Sequence, residues 1–575
     1  MKPLSSSLLF LLCTLLVRSQ EAVSALNTTS RCRNVPGNPG YPSAAEWDAL
    51  NATVSGRLVT VVPSAKFCAS LAGGACTEDQ WTSAQFRATI PGAMEQPNWE
   101  QGYDLTPPSL CLQNGTTCGQ GDVPLYSVEA ETVADIQAAV NFSRTHNLRL
   151  AVKSSGHDYL GRSTAPNSLL IRTRNFQNVS FSDSFFIGST DMGSTVTVGG
   201  GAFAQSMYTE GKANGKIGVG GSAATVCIAG GWVQGAGHSA LSPTFGLGAD
   251  NALEFEIVVA SGELLKVNQN SYPDLFYALR GGGAGSWGII VSATFHTYPT
   301  FNATHSVIYL AAENDTVTAS LATLHAEHIF DWDSVHAGQY FWFLKNGTGT
   351  SAPSILFLDT YMPNTTVEQS QALLAPFLNA SLALPGVALV SQEFTYGDIN
   401  DALYQPDDNV GTNEVLGSRL IPTSIYRDSP STVGKVYEKL LENGAAEILG
   451  HLVAGGKVAE NANISSAVHP AWRTAKTHLV LGSEWDDSAS LTEINQARHF
   501  FQNVQVPILE ELAGPNAGSY SNEADVLEPA FQTTFFGPNY DKLSAIKQKY
   551  DPDDLFIVGA GVGSERWDEW GLCRV

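Results

Sequence analysis

The chain has 575 residues, with 31 Lys or Arg against 55 Asp or Glu, so its formal net charge is −24. This charge argues against nucleic acid or an anionic membrane surface as a partner, because both would repel the protein. The length exceeds what one hydrophobic core supports, so we expect at least two domains.

The first 25 residues have the pattern of a secretory signal. Lys2 precedes an apolar run over 8–17, and small residues follow up to Ala25. The run is too short to span a membrane, and no later segment stays apolar for about 20 residues. N-x-S/T sequons spread along the chain further indicate a secreted glycoprotein. They lie at Asn27, Asn51, Asn114, Asn141, Asn178, Asn302, Asn314, Asn346, Asn364, Asn379 and Asn463.

The cysteines agree with an oxidising compartment. Once Cys13 leaves with the signal, an odd number remains. We expect the pairs Cys68–Cys76 and Cys111–Cys118, which enclose short loops, and Cys32–Cys573, which would join the two ends. Cys227 is left unpaired. These spacings are not those of a zinc site, so we expect disulfides and no metal.

Residues 26–119 are rich in Cys, Pro and Gly and predict an irregular arm clamped by disulfides. From 123 onward the pattern becomes α/β. Residues 124–128 are strand-like, and Thr132 can cap a helix with Asp135 three positions later. Val133, Ile136 and Val140 then share one helix face.

The segment 148–161, LRLAVKSSGHDYLG, is where we expect the chemistry. Its alternating start predicts a strand with one buried face, which completes a β-α-β unit. The strand breaks at Ser154, Ser155 and Gly156, directly before His157. Small residues at such a break allow backbone N–H groups to approach an anion.

A strand at 194–198, a helix at 203–214 and a strand at 216–219 follow, and then a Gly-rich block over 220–251. Two fragments match G-x-G-x-x-G/A, at 235–240 and 283–288. A dinucleotide-binding Rossmann unit needs a helix after the glycines. The first fragment is followed by a proline and a loop, and the second by a strand-like run, so we exclude that fold.

Residues 301–515 alternate strands with helices. Predicted strands cover 305–310, 339–344, 355–358, 448–453 and 478–481, and predicted helices cover 367–378 and 493–512. The aromatic run 340–343 is interpreted as ordinary core in preference to a sugar-binding platform.

The run SSGHDYLG resembles the flavin loop of the berberine-bridge-enzyme-like branch of the vanillyl-alcohol-oxidase (PCMH-type) flavoprotein family. There, the His of an S-G-G-H-x-Y-x-G run carries the flavin 8α-methyl group; here Ser155 replaces the first Gly. GGWVQGAGHS, FGLGADN, VVASGELLKVN and DLFYALRGGGAGSWGIIVSATF also occur in the family's order. GSYSNEAD and FFGPNYDKLSAIKQKYDPDDLF resemble its C-terminal element.

The resemblance implies an α+β fold. Residues 1–25 are the signal and 26–119 the arm. A two-lobed PCMH-type FAD-binding domain covers 120–300. A substrate domain with an antiparallel sheet flanked by helices covers 301–515, and 516–575 return to the FAD domain.

The resemblance also implies FAD attached covalently through His157. The implied cofactor-binding residues are Ser154, Ser155, Gly156, His157, Ser163, Val226, Gly231, Gly235, Asp250, Asn251, Gly288, Ile290 and Asn522. Tyr520 is the candidate catalytic base if a cation or hydrogen-bond donor stabilises its phenolate, and His238 is a second candidate.

Two departures from the family and one agreement with it matter. Ala223 stands where many relatives attach a second Cys to FAD, and Cys227, four residues away, is interpreted as a buried inert thiol. Val226 is the residue that leaves room for oxygen in relatives. The opening CRNVPGNPGYPS resembles secreted fungal oxidases related to isoamyl alcohol oxidase, but their cysteines at the positions of Asn34 and Gly40 are both missing here.

The sequence thus predicts a secreted, monomeric oxidase that transfers hydride from an alcohol-type substrate to covalent FAD and reduces oxygen to hydrogen peroxide. Its partners are a small-molecule substrate and molecular oxygen, with no nucleic acid or membrane. The alternatives are an oxidative tailoring or cyclising enzyme of secondary metabolism, a carbohydrate oxidase, and a non-catalytic flavin or ligand carrier.

Overall fold

The computed structural model describes residues 31–115, 117–345, 354–515 and 517–575. The expected signal peptide and the sequons at Asn27 and Asn346 lie outside these ranges. None of the helices in the described ranges is both long enough and apolar enough to cross a membrane.

A four-stranded sheet carries the predicted β-α-β unit. It comprises β1 (Leu58–Thr60), β2 (Tyr126–Glu129), β3 (Leu150–Lys153) and β4 (Leu169–Arg172), in the order β1-β2-β4-β3. β2 and β3 both run parallel to β4, which lies between them. The helix between β2 and β3 begins after Thr132, whose hydroxyl accepts from the Asp135 N–H as predicted.

Two expectations about this region were wrong. β3 is buried on both faces, since parallel strands are covered on both sides. Its Lys153 is only 2% exposed, and its buried ammonium donates to the carbonyl of Ala93. The N-terminal arm is also more regular than expected, because β1 pairs antiparallel with β2.

A second sheet is wholly antiparallel. It contains β5 (Val179–Ser182), β8 (Thr195–Gly199), β9 (Lys216–Gly218), β10 (Ala252–Val258), β11 (Leu264–Asn268) and β12 (Ile289–Pro299). The strand order is β11-β10-β12-β8-β5, with β9 on the end of β12. A separate ribbon pairs β6 (Phe186–Ile187) with β7 (Thr190–Asp191). Gly288 leads directly into β12, which agrees with the exclusion of a Rossmann unit.

The third sheet has seven antiparallel strands. They are β13 (Asn302–Ala312), β14 (Gly338–Lys345), β15 (Ser354–Pro363), β16 (Val387–Asp398), β17 (Asn413–Pro422), β18 (Glu447–Leu452) and β19 (Ala475–Trp485). The order is β16-β13-β15-β14-β18-β19-β17. All five predicted strands are present, whereas β16 and β17 escaped the sequence analysis.

Helices connect and cover these sheets. The α-helices are Ala44–Thr53, Ser64–Ala69, Glu78–Thr82, Ala84–Arg87, Val133–Thr145, Ala204–Ala213, Val233–Gly235, Ser242–Phe245, Gly248–Asn251, Pro273–Leu279, Asp315–His328, Val367–Ala383, Ile399–Leu403, Thr423–Asp428, Pro430–Glu442, Gly456–Glu460, Leu491–Phe500, Val506–Ala513, Phe531–Phe536 and Tyr540–Tyr550. Shorter turns are Pro97–Glu100, Ile228–Trp232, Asp333–Val335, Asn461–Asn463, Pro470–Arg473, Phe501–Gln505, Gly537–Asn539 and Ser564–Arg566. The helix predicted over 493–512 is interrupted at Phe501–Gln505, just before Pro507, which lacks the backbone N–H that a continuous helix needs.

The seven-stranded sheet separates two hydrophobic cores. The first two sheets form the half that the resemblance expects to bind FAD, called the flavin-side half below. Along β14, Tyr340 packs with the core of this half, while Phe341 and Phe343 pack with the core under the helices on the other face. The aromatic run is therefore core, as predicted, and the flavin-side face of this sheet covers the site described below.

Disulfides join the parts of the chain as predicted. The bridges are Cys32–Cys573, Cys68–Cys76 and Cys111–Cys118, and Cys227 is buried and unpaired. Asn34 and Gly40 are neighbours, since a Cβ on Gly40 would lie 2.6 Å from the Asn34 Nδ2. Cysteines at two adjacent positions could form one bridge, which fits their joint absence here.

Candidate active site

A cavity of about 530 Å³ lies between the flavin-side sheets and the seven-stranded sheet. Its walls come from parts of the chain that are far apart in sequence. The lining residues used below are Ser154–Tyr159, Arg162, Ser163, Ala223, Val226, Cys227, Gly231, Gly288, Ile290, Asp359, Tyr361, Asp408, Tyr520, Asn522 and Glu523.

The loop that follows β3, residues 154–157, lines the cavity and contains backbone N–H groups without a partner in the described ranges. Within the described residues, the backbone N–H groups of Ser155, Gly156 and His157 donate to no other protein group. Gly156 has φ +114°, a conformation that side chains rarely tolerate, and a Cβ there would lie 3.3 Å from the Ala93 carbonyl oxygen. A loop of free N–H groups and small side chains fits an anion such as the FAD pyrophosphate, so the residues present fit this cofactor.

His157 is held by its Nε2 atom, which lies 2.5 Å from the Thr225 Oγ1 and 3.5 Å from the Asp408 Oδ2. Burial acts to lower the pKa of His157, but Asp408 and Glu95 outweigh it and raise the pKa above its ordinary value. Because Nε2 is occupied by these partners, Nδ1 is the ring nitrogen left for another bond.

Asp408 organises this side of the cavity, and the sequence analysis missed it. Its carboxylate accepts from the backbone N–H groups of Ala224 and Thr225 at 2.8 and 2.9 Å, and from the Thr225 hydroxyl at 2.8 Å. Burial opposes the charge, but His157 and the Thr225 hydrogen bonds lower the pKa of Asp408 to about 2. Asp408 lies in a stretch without recognisable motif, so no signal in the sequence marked it.

Arg162 ties the flavin loop to the C-terminal element. Its Nε donates to Asp158 at 2.8 Å, and its terminal nitrogens donate to the Ser521 carbonyl and the Asn522 Oδ1, each at 3.1 Å. The tail therefore packs on the flavin loop, as the resemblance implied.

Tyr520 and Asn522 lie together at the cavity. The Asn522 amide donates to the Tyr520 hydroxyl at 2.9 Å and to the Gly231 carbonyl at 3.1 Å. This amide is the donor that the base hypothesis required. However, burial and the neighbouring Glu523 raise the pKa of Tyr520 well above its ordinary value, so the structure favours the neutral phenol.

His238 does not line the cavity directly. Its Nε2 lies 3.0 Å from Oε1 of Glu523, which does. Two further histidines, His451 and His478, lie beside Glu523, and these four side chains are called the His-Glu cluster below. Burial lowers the pKa of both His451 and His478 well below the ordinary value, which favours the neutral imidazoles.

A second carboxylate, Asp359 on β15, faces the cavity. Its Oδ1 lies 2.5 Å from the His305 Nε2 on the adjacent β13, and its Oδ2 accepts from the Tyr361 hydroxyl at 3.1 Å. The His305 and Tyr361 rings stack, with centroids 4.6 Å apart. Cross-strand register creates this group, so the sequence alone did not reveal it.

Most of the cofactor-binding residues expected from the resemblance line the cavity. Three do not. Asp250 forms a two-point ion pair with Arg473, and Asn251 bonds the Leu247 carbonyl and the Tyr298 hydroxyl. Both side chains are bonded within the protein and neither lines the cavity; their assignment to the cofactor stays a prediction. Gly235 lies against Asn522, where a Cβ would come within 2.4 Å of its Nδ2.

The positions compared with the family's second FAD attachment and its oxygen access also lie at the cavity. Ala223, Val226 and Cys227 all line it. Cys227 is 4% exposed, and burial raises the pKa of its thiol to about 11. The thiol therefore forms little of the reactive thiolate at neutral pH, as expected of an inert thiol.

Comparison with known proteins agrees with this geometry. The FAD binding domain family matches residues 124–268, and the family described as "Berberine and berberine like" matches residues 519–563. An FAD-linked oxidoreductase of Arthroderma benhamiae is 36% identical and covers 98% of this chain and 99% of its own length. The FAD-linked oxidoreductase ZEB1 of Gibberella zeae is 33% identical, with coverage of 96% and 97%.

The fold has solved counterparts. The VAO-type flavoprotein MtVAO713 of Myceliophthora thermophila C1 superposes with a TM-score of 0.85 at 29% identity, covering 95% of this chain and all of that one. The chain therefore belongs to the berberine-bridge-enzyme-like branch of the VAO flavoprotein family, and it is an FAD-linked oxidoreductase with the α+β fold of that family.

Proposed function

We propose that this protein is a secreted oxidase that removes hydride from an alcohol-type substrate, with oxygen as the electron acceptor and hydrogen peroxide as product. The observation that carries the proposal is the shared cavity. His157 of the flavin loop, Tyr520 and Asp359 all line the same space, as hydride and proton removal from one substrate require.

FAD is held through His157 alone in this proposal. Thr225 and Asp408 hold the imidazole by its Nε2, so Nδ1 would be the nitrogen that bonds FAD. Ala223 lacks the sulfur for a second bond, and the thiol of Cys227 is buried and protonated. When bound, FAD supplies the redox chemistry, accepting hydride and passing electrons to oxygen.

The chain supplies orientation and proton transfer. Tyr520, kept neutral by burial, donates a hydrogen bond to the substrate oxygen. Asp359 accepts the hydroxyl proton, and His305 and Tyr361 hold its carboxylate in place. The proposed base thus moves from Tyr520 to Asp359, because the raised pKa of Tyr520 opposes a phenolate.

Secretion as a monomer remains part of the proposal. The three disulfides support the secretion, since such bridges persist in oxidising compartments.

A peroxide screen on purified holoprotein tests the function. Alcohols, oligosaccharides and polyketide-like compounds are offered in air, with peroxide and oxygen consumption both measured. We expect turnover with at least one alcohol, one peroxide formed per oxygen consumed. Turnover only with oligosaccharides would make the protein a carbohydrate oxidase, and turnover only with compounds that cyclise would make it a tailoring enzyme. No turnover with any compound would favour a flavin carrier.

A further inference from the structure

We propose that the His-Glu cluster, His238, His451, His478 and Glu523, binds one divalent first-row transition metal ion, with Zn²⁺ as the best-suited probe. The proposal goes beyond the oxidase function and does not depend on it. It also departs from the sequence analysis, which considered only cysteine spacings and expected no metal.

The distances between the potential ligand atoms match a metal site. The Nδ1 atoms of His451 and His478 lie 3.1 Å apart, and each lies 3.5 Å from the Glu523 Oε2. With Zn–N and Zn–O bonds of about 2.0–2.1 Å, neighbouring ligands of a tetrahedral ion lie about 3.3 Å apart. These three atoms therefore form a triangle of the size of one tetrahedral face.

His238 completes the ligand set from the other side of Glu523. Its Nε2 lies 3.0 Å from the Glu523 Oε1, and one ligand atom from each of the four residues lies within 4.8 Å of all the others. Three imidazoles and one carboxylate are a donor set that suits zinc and its first-row neighbours.

Hydrogen bonding within the protein satisfies only part of the cluster. His238 Nε2 bonds the Glu523 Oε1, and the facing Nδ1 atoms of His451 and His478 share one hydrogen bond. Among the described residues, Glu523 Oε2 has no hydrogen-bond partner although it faces both Nδ1 atoms, and His238 Nδ1 is also unpartnered. His451 and His478 are 3% and 0% exposed. Burying polar atoms without partners is costly, and a cation between these atoms would satisfy the carboxylate and both Nδ1 lone pairs.

The fold places the ligands rigidly. His451 on β18 and His478 on β19 are directly opposed partners in the antiparallel ladder. His238 comes from the Gly-rich block and Glu523 from the C-terminal element. A metal would therefore connect the seven-stranded sheet to both parts of the flavin-side half, and it would border the cavity at Glu523.

Metal content of the holoprotein is the first test. Protein purified in metal-free buffer is incubated with Zn²⁺ and desalted. Its zinc content is measured by inductively coupled plasma mass spectrometry, and its X-ray absorption spectrum is recorded. We expect about one zinc per chain, with imidazole scattering and N/O ligands at about 2.0–2.1 Å. Zinc below about a tenth of an equivalent, or a shell without imidazole, would overturn the proposal.

Two variants locate the site. Glu523→Gln and His451→Gln should each weaken zinc retention by at least the roughly 10–100-fold that loss of an outer partner costs other metal sites. His325→Gln is the matched control, because His325 is an equally buried histidine that bonds Gln339 instead. Wild-type zinc content in both cluster variants would place the ion elsewhere and refute the assignment. If either variant loses its flavin through misfolding, the X-ray absorption spectrum of the zinc-loaded wild type alone decides whether imidazoles bind the ion.

These readouts are independent of turnover. An oxidase without bound zinc would refute only the metal site, and a zinc protein without turnover would refute only the oxidase proposal.

Discussion

His157 and Asp408 meet at the cavity, with 3.5 Å between the imidazole Nε2 and the carboxylate Oδ2. His157 belongs to the region matched by the FAD binding domain family, whereas Asp408 lies far beyond it, just before β17. A residue from the part of the chain expected to bind substrate thus orients the residue expected to hold the cofactor.

The first prediction concerns that attachment. His157→Ala should leave no flavin on the protein after acid precipitation, while wild type and the control Cys227→Ser should both stay yellow. The reason is that His157 Nδ1 is the nitrogen left for the cofactor, and Cys227 is a buried thiol. Peptide mapping of the precipitated protein is the measurement. A flavin-bearing peptide that contains Cys227 would contradict the single link.

The second prediction concerns acid stability. Folding lowers the pKa of Asp408 from its ordinary value of 3.8 to about 2. The charged carboxylate therefore stabilises the folded protein at pH values above 3.8. That contribution, about 2 kcal/mol, is lost as the pH falls from about 5 to 2. Asp408→Asn should therefore be less stable than wild type at pH 5, with the difference shrinking toward pH 2.

Melting temperatures of holoprotein between pH 5 and 2 measure this effect. Asp48→Asn, at an exposed aspartate on the first helix, is the control and should follow the wild type. A difference between Asp408→Asn and wild type that stays constant with pH would contradict the assignment.

Local patterns predicted the elements but not the contacts between distant segments. The capping pair Thr132 and Asp135 and the flavin loop at 154–157 are contiguous in sequence, so both were found. Asp359, His451 and His478 acquire their roles through strand register, which the sequence does not reveal. Glu523 lies within the run GSYSNEAD, three residues after Tyr520, and an acidic residue in this family segment is a signal that the sequence does carry.

Proton transfer gives the third prediction. Asp359→Asn should slow flavin reduction by about 10²–10⁴-fold, the usual contribution of a general base, with flavin still bound. Tyr520→Phe should slow it by less than about tenfold, because a neutral phenol supplies only orientation. Rapid mixing with substrate in the absence of oxygen measures both. The reverse order of the two effects would return the role of base to Tyr520.

Oxygen access gives the fourth prediction. Val226 lines the cavity and is only partly buried, so Val226→Leu places an extra methylene there. We expect reoxidation of the reduced protein by oxygen to slow by about tenfold or more, since a barrier increase of about 1.4 kcal/mol suffices. Flavin reduction by substrate should change little and serves as the internal control. Unchanged reoxidation would show that Val226 is only a core residue.

The central claim is that substrate reduces the bound flavin and oxygen reoxidises it. Holoprotein is mixed with an alcohol substrate without oxygen in a stopped-flow instrument, and the reduced protein is then mixed with aerated buffer. The account predicts full bleaching of the flavin absorbance and then recovery much faster than that of free reduced flavin, with one peroxide per cycle. Flavin that no substrate bleaches, or recovery that requires a quinone in place of oxygen, would contradict it.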